Sequence, residues 1–282
     1  MYLGLVVVDG FGLDIHRLLT TTKTIFMFLI HSINLEMEKI EQHKKVAEIK
    51  GTYEQIALAY NRVRSKPWRE CLEFIKTFDC SGWILDIGCG SGRHSLASAL
   101  QGHQTVGIDF SKNMLKIAHQ KLKSASPSNF HPVLADASQL PFKSDLFTHI
   151  LYIATLHNLP SRSLRIRSLN EIRRVMKPGG KCLISVWKRL QSRFLSQVIT
   201  TYLRKIIGMK EDFEVSVPWK INDSLVYRYF YLYSAKQLKK DINEAGMNIL
   251  SFSKAKIGAH VLSDNYFVTV TKNPGREMSD II

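Results

Sequence analysis

An apolar strand that runs directly into a glycine-rich turn, Ile84-Leu-Asp-Ile-Gly-Cys-Gly-Ser-Gly-Arg-His, constrains this chain more than any other stretch. Glycine tolerates backbone angles closed to other residues, so Gly88, Gly90 and Gly92 let the chain reverse sharply and bring its amides close to a ligand before a helix opens. Strand, glycine turn and helix in that order form the first unit of a nucleotide-binding α/β sheet. The dinucleotide form of the turn wants its third glycine one position later, where Arg93 stands, which disfavours a hydride-transfer cofactor.

Downstream, strand-like and helix-like segments alternate. Strands are predicted over 83–87, 105–108, 130–135, 147–153, 181–187, 248–254 and 266–271, with a helix opened by the capping Ser111 and another over 163–176 that stops at Lys177-Pro-Gly-Gly. This predicts an α/β, Rossmann-like, seven-stranded and mostly parallel sheet. The last two strands are separated by a loop too short for a helical crossover, so they must form an antiparallel pair at the sheet's edge. Residues 188–233 exceed a simple connection and read as a substrate-side lid, with a helix-like piece over 196–207 and then an aromatic-rich tract.

Residues 1–36 differ from the rest. Their apolar runs, 3–8 and 25–30, are too short to cross a bilayer, and the opening residues lack the basic start of a secretory signal. The segment reads as a poorly ordered or mis-annotated extension, with translation starting at Met37 and a catalytic domain over 37–282. Four cysteines without C-x-x-C spacing give neither a zinc site nor a disulfide framework, so no metal is expected and a cytoplasmic setting fits. A net charge of +15 on 282 residues favours a phosphate-bearing partner. Arginines and lysines between Arg162 and Lys181, continued from Lys188 to Lys210, suggest one phosphate-binding track, and the aromatics among 187–233 could stack an extruded base.

Two acids complete the ligand pattern. Asp109, in Val106-Gly-Ile-Asp-Phe, ends the second strand where a carboxylate can accept ribose hydroxyls, and Asp136, in Leu134-Ala-Asp-Ala, lies beyond the third, within reach of an adenine amino group. With Asp86, the glycine turn and Lys177-Pro-Gly-Gly in the same order, the stretch from about 83 to 187 resembles the class I methyltransferases. The resemblance implies S-adenosyl-L-methionine as cofactor, held by Asp86, Gly88, Gly90, Gly92, Asp109, Phe110, Met114, Asp136 and Ala137.

A narrower resemblance covers most of the chain after Thr52. Tyr53-Glu-Gln-Ile-Ala-Leu-Ala-Tyr-Asn-Arg-Val-Arg-Ser-Lys-Pro-Trp, Leu151-Tyr-Ile-Ala-Thr-Leu-His-Asn, Gln191-Ser-Arg-Phe and Val226-Tyr-Arg-Tyr-Phe-Tyr resemble segments of the Trm9-type tRNA methyltransferases. That family often carries paired histidines where this chain has His157-Asn158. The resemblance implies methyl esterification of 5-carboxymethyluridine at the wobble position of the tRNA anticodon loop, and a small zinc-binding activator subunit of the Trm112 type. A carboxylate, with an ordinary pKa of about 4, needs no base at neutral pH. The site instead needs a cation or donor to orient it, and Arg64, His157 and Arg193 are the candidates. Two other readings stay open: a methyltransferase for a quinone-like or phenolic small molecule, and a non-catalytic methyltransferase-like subunit that binds RNA or protein.

Overall fold

The computed structural model describes residues 15–78, 82–125, 128–207, 213–221, 223–257 and 264–272. The chain divides into two compact units, Met1–Lys45 and Val46–Ile282. The compositional boundary at 36/37 falls inside helix α1 (Ile15–Val63), while residues 1–14 of that opening segment lie outside the described residues. Among the described residues no helix is long and apolar enough to cross a membrane.

The second unit is built on β1 (Trp83–Ile87), β2 (Gln104–Asp109), β3 (Phe130–Leu134), β4 (Phe147–Ile153), β5 (Met176–Trp187), β8 (Met247–Ala255) and β9 (Asn265–Lys272). They line up as β3-β2-β1-β4-β5-β9-β8. The first five pair in parallel, and β9 runs antiparallel to both β5 and β8, so the reversed strand lies one place in from the edge. All seven sequence-predicted strands are present.

Side chains alternate across the sheet with period two. Leu85, Ile87, Ile150, Tyr152 and Ile184 face one layer, where α5 (Arg162–Val175) contributes Leu169 and Ile172 and α7 (Ala235–Glu244) contributes Leu238 and Ile242. Ile84, Leu151, Ile153 and Leu183 face the other, against Cys71, Phe74 and Ile75 of α2 (Arg69–Ile75). Both faces are covered, which is why β1 and β4 carry apolar residues on both sides, Ile84 beside Leu85 and Ile150 beside Leu151. Two further helices, α3 (Arg93–Leu100) and α4 (Lys112–Ala125), follow the first two strands. Ser111 caps α4 as its position suggested, its Oγ accepting from Met114 N at 3.1 Å.

The insertion after β5 holds α6 (Leu195–Ile206) and a separate two-stranded antiparallel sheet of β6 (Glu214–Ile221) and β7 (Ser224–Tyr231). The aromatic tract is therefore a hairpin with its own small core, in which Val215, Phe230 and Leu232 meet Phe194 and Val198.

Candidate active site

The glycine turn is held in the left-handed region, with φ of 69° at Gly88, 56° at Gly90 and 76° at Gly92. A Cβ on Gly88 would lie 2.2 Å from Thr155 Oγ1, whereas one on Gly90 would meet nothing nearer than Met114 Sδ at 4.0 Å. Gly88 is thus close-packed, and Gly90 keeps a space open on the floor of a cleft of about 990 Å³. Asp109 ties this floor to the next turn: its Oδ2 accepts from Gly90 N at 2.8 Å and its Oδ1 from Ser111 N at 2.9 Å. Burial raises its pKa to about 6, with those hydrogen bonds opposing the rise. A carboxylate has room for further donors beyond two, so Asp109 can still accept from a ligand.

Gly88, Gly90, Asp109, Phe110, Met114, Asp136 and Ala137 line the cleft. Asp136 is exposed, and its Oδ1 accepts from Ser138 N and Oγ at 2.7 and 2.8 Å. Asp86 and Gly92 are not among the lining residues. Asp86 is 1% exposed, and burial raises its carboxyl to about 6 although its Oδ2 accepts from Ser95 Oγ at 2.6 Å. It braces α3 from behind the turn. Gly92 starts that helix and packs close to Ala118 and Phe130.

One wall of the cleft comes from the part of α1 that belongs to the second unit, with Val46, Ile49, Tyr53 and Tyr60. Glu54 fastens this wall. Its carboxylate accepts from Lys112 N at 2.7 Å, Asn113 N at 2.8 Å and Ser111 Oγ at 3.0 Å, closing the open amides at the start of α4. Burial works against its charge, but these donors outweigh burial and hold its pKa below the usual range.

A second cavity of about 520 Å³ adjoins the first and shares Tyr53, Tyr60, Arg64, Arg93 and Ala154 with it. All three catalytic candidates from sequence, Arg64, His157 and Arg193, line this second cavity. His157 is fully buried, and its Nδ1 accepts from Trp187 N at 3.0 Å. The ring proton therefore sits on Nε2, which is buried without a partner. Burial first, then Arg193 and Arg228, lowers the pKa to about 3, so His157 is a neutral donor and not a cation. Arg193 lies 4.0 Å over the Trp187 ring and donates from Nε to Gln191 Oε1 at 2.9 Å. Asn158, standing where the paired histidine was expected, lines the first cavity, where its Nδ2 donates to Ala154 O at 3.1 Å. Ala154 joins the two cavities in a left-handed conformation, φ 53°, rare for a residue with a Cβ.

Sequence reading missed Glu54, Arg93 and Arg228. Arg93 occupies the position that excluded a dinucleotide turn and lies 4.6 Å over Trp68. The phosphate track needs correction. Arg162 pairs with Asp241 and Glu244, Arg174 with Glu171, and Arg165 and Arg189 are buried against Tyr231 and Phe213. These side chains hold the fold together, leaving Arg167 and Arg173 exposed on α5. No cluster of metal-ligating side chains occurs among the described residues.

The strand order, the glycine turn after β1 and the acids after β2 and β3 define a class I methyltransferase fold. Comparison with known proteins agrees: residues 85–184 match the family described as "Methyltransferase domain". It is 28% identical over 240 residues to the tRNA (carboxymethyluridine(34)-5-O)-methyltransferase ALKBH8 of Macaca fascicularis, covering 82% of this chain and 34% of that one. It is 26% identical over 233 residues to the tRNA (carboxymethyluridine(34)-5-O)-methyltransferase of Schizosaccharomyces pombe, covering 78% and 94%. The chain spans only 21% to 34% of the length of the vertebrate relatives. Among solved structures, a SAM-dependent methyltransferase from Methanosarcina mazei superposes with a TM-score of 0.58 at 21% identity, covering 73% of this chain and 98% of that one.

Proposed function

We propose that this chain is an S-adenosylmethionine-dependent methyltransferase that esterifies the carboxylate of 5-carboxymethyluridine at the wobble position of tRNA. The observation that carries the reading is the junction of two cavities: a cleft floored by Gly90 and Asp109 opens into a pocket lined by arginines, aromatic rings and a buried neutral histidine. The names of the macaque and fission-yeast relatives support the acceptor.

Gly90 would leave room for the donor's amino-acid part, Asp109 would accept from its ribose hydroxyls and Asp136 from its base amine, with Phe110, Met114 and Ala137 lining the cleft around it. When bound, S-adenosylmethionine supplies an electrophilic methyl group on a sulfonium. Bound here, the donor would supply that methyl to a carboxylate oxygen, with the electron pair of the carbon–sulfur bond left on sulfur. No proton moves, so the residues have to orient the acceptor and exclude water, which is catalysis by proximity. His157 can donate from Nε2 without adding charge, and Arg64 and Arg193 attract the anion. A small zinc-binding activator subunit of the Trm112 type and a cytoplasmic setting belong to the same reading.

The test is transfer of labelled methyl to tRNA from cells lacking this protein, with and without a Trm112-type partner, followed by nucleoside mass spectrometry. A methyl ester on 5-carboxymethyluridine is expected. Donor binding without RNA labelling would instead favour a small-molecule acceptor.

A further inference from the structure

Arg228, on the hairpin strand β7, is 7% exposed and lines the second cavity. Its guanidinium lies 4.4 Å from the Trp219 ring and 5.2 Å from Phe230. Its Nε is buried without a hydrogen-bond partner, and no acidic side chain pairs with it among the described residues. The one acid on the cavity wall, Asp264, accepts from Ile257 N and Asn265 Nδ2. A buried cation without a counter-ion is costly, and proteins retain one where a ligand supplies the opposite charge. His157 Nε2 is a second buried donor without a partner on the same cavity. Two unsatisfied donors, one of them cationic, on a wall that also carries the stacked rings of Trp187 and Phe230 call for an anion.

We propose that Arg228 is the anion-recognition residue of the acceptor pocket, binding the acceptor's carboxylate together with His157 Nε2–H. The proposal rests on the acceptor reading above and assigns to the inserted hairpin the selection of a charged over a neutral base.

The experiment measures binding of two anticodon stem-loop RNAs to the full chain loaded with S-adenosylhomocysteine, which has no methyl group to transfer. One carries 5-carboxymethyluridine at the wobble position and the other its neutral 5-carbamoylmethyl counterpart. Wild type should prefer the carboxylate RNA at least tenfold. Arg228→Met, which keeps the apolar stem, should bind both RNAs alike with donor affinity unchanged. Arg228→Lys should keep part of the preference, and it decides the matter if the Met variant fails to fold. A variant that retains the full preference, or a wild type that has none, overturns the proposal. Methyl transfer separates it from the functional reading: ester formation that survives Arg228→Met unchanged sinks this inference alone. Discrimination through Arg228 without any ester formation sinks the functional reading alone.

Discussion

Gly88 and Gly90 share a turn and a backbone conformation, yet they should fail differently when given a side chain. Alanine in the left-handed region costs about 1–2 kcal/mol at either position. Gly88→Ala also drives a methyl into Thr155 and should lose a further 1–3 kcal/mol or so from overpacking, seen as a large fall in Tm. Gly90→Ala meets open cleft, so its Tm should fall only by the left-handed cost, less than for Gly88→Ala, while affinity for S-adenosylmethionine is lost; calorimetry on both variants checks the split. Asp109 gives a pH signature. Its folded pKa lies near 6, above its ordinary value, so its contribution to stability of the unliganded chain is full below about pH 4 and lost as pH rises through 6. Ribose hydroxyls donate to the carboxylate form. Donor affinity should therefore rise about tenfold per pH unit up to 6 and then level off, and Asp109→Asn should flatten the rise. A wild-type affinity flat between pH 4.5 and 6 would remove Asp109 from the donor site. These residues were legible in the sequence because the chemistry of each is local: a turn needs glycine, and an acid ends a strand. Asp86 was equally visible, but whether an acid faces the ligand or braces the loop depends on Ser95 nine residues away.

Elements were legible where their pattern was self-contained. Each strand of the main sheet is apolar on one or both faces, and the short 255–264 connection fixed the direction of the last pair. The hairpin of β6 and β7 was missed although Ser224-Leu-Val-Tyr-Arg-Tyr-Phe-Tyr can pair with Glu214-Val-Ser-Val-Pro-Trp-Lys-Ile. So many aromatic residues fall on both faces that no alternation of polar and apolar stands out. Arg228 was hidden with it, since only pairing opposite Val217 decides its place on the strand. Glu54 was invisible for another reason: it serves α4 from a helix nearly sixty positions away, and no local signature announces such a cap. Glu54→Ala should leave Lys112 N and Asn113 N without their acceptor and cost about 1–2 kcal/mol, the usual worth of a helix cap. Because the same residue secures the wall of the donor cleft, S-adenosylmethionine affinity should fall with it. Denaturant unfolding and donor titration together test this, and loss of stability at full donor affinity would show that the α1 wall does not shape the cleft.

For the molecule as a whole, the net charge of +15 favours binding a polyanion, and the fold decides which cations are left to meet it. The sequence gathers arginines from Arg162 onward, and folding spends several of them on ion pairs and aromatic stacking. This gives two kinds of arginine with opposite signatures. Arg162 donates to Asp241, a fully buried carboxylate that also accepts from Gln237 Nε2 and Tyr233 OH. Arg162→Ala should leave that acid short of partners and cost about 1–3 kcal/mol, with a lower Tm. Because its charge is already matched, tRNA affinity should keep the same dependence on salt. Arg64 lines both cavities, and no hydrogen bond or ion pair engages its guanidinium among the described residues. Arg64→Ala should leave Tm nearly unchanged while weakening tRNA binding. If it meets a phosphate, the slope of log K against log salt becomes shallower by about 0.7–0.9, the share of one contact. If it meets only the acceptor carboxylate, affinity falls for the carboxymethylated RNA alone. Titrations of tRNA at four or five salt concentrations with the two variants distinguish these cases. A changed slope for Arg162→Ala would return the α5 arginines to the nucleic-acid interface.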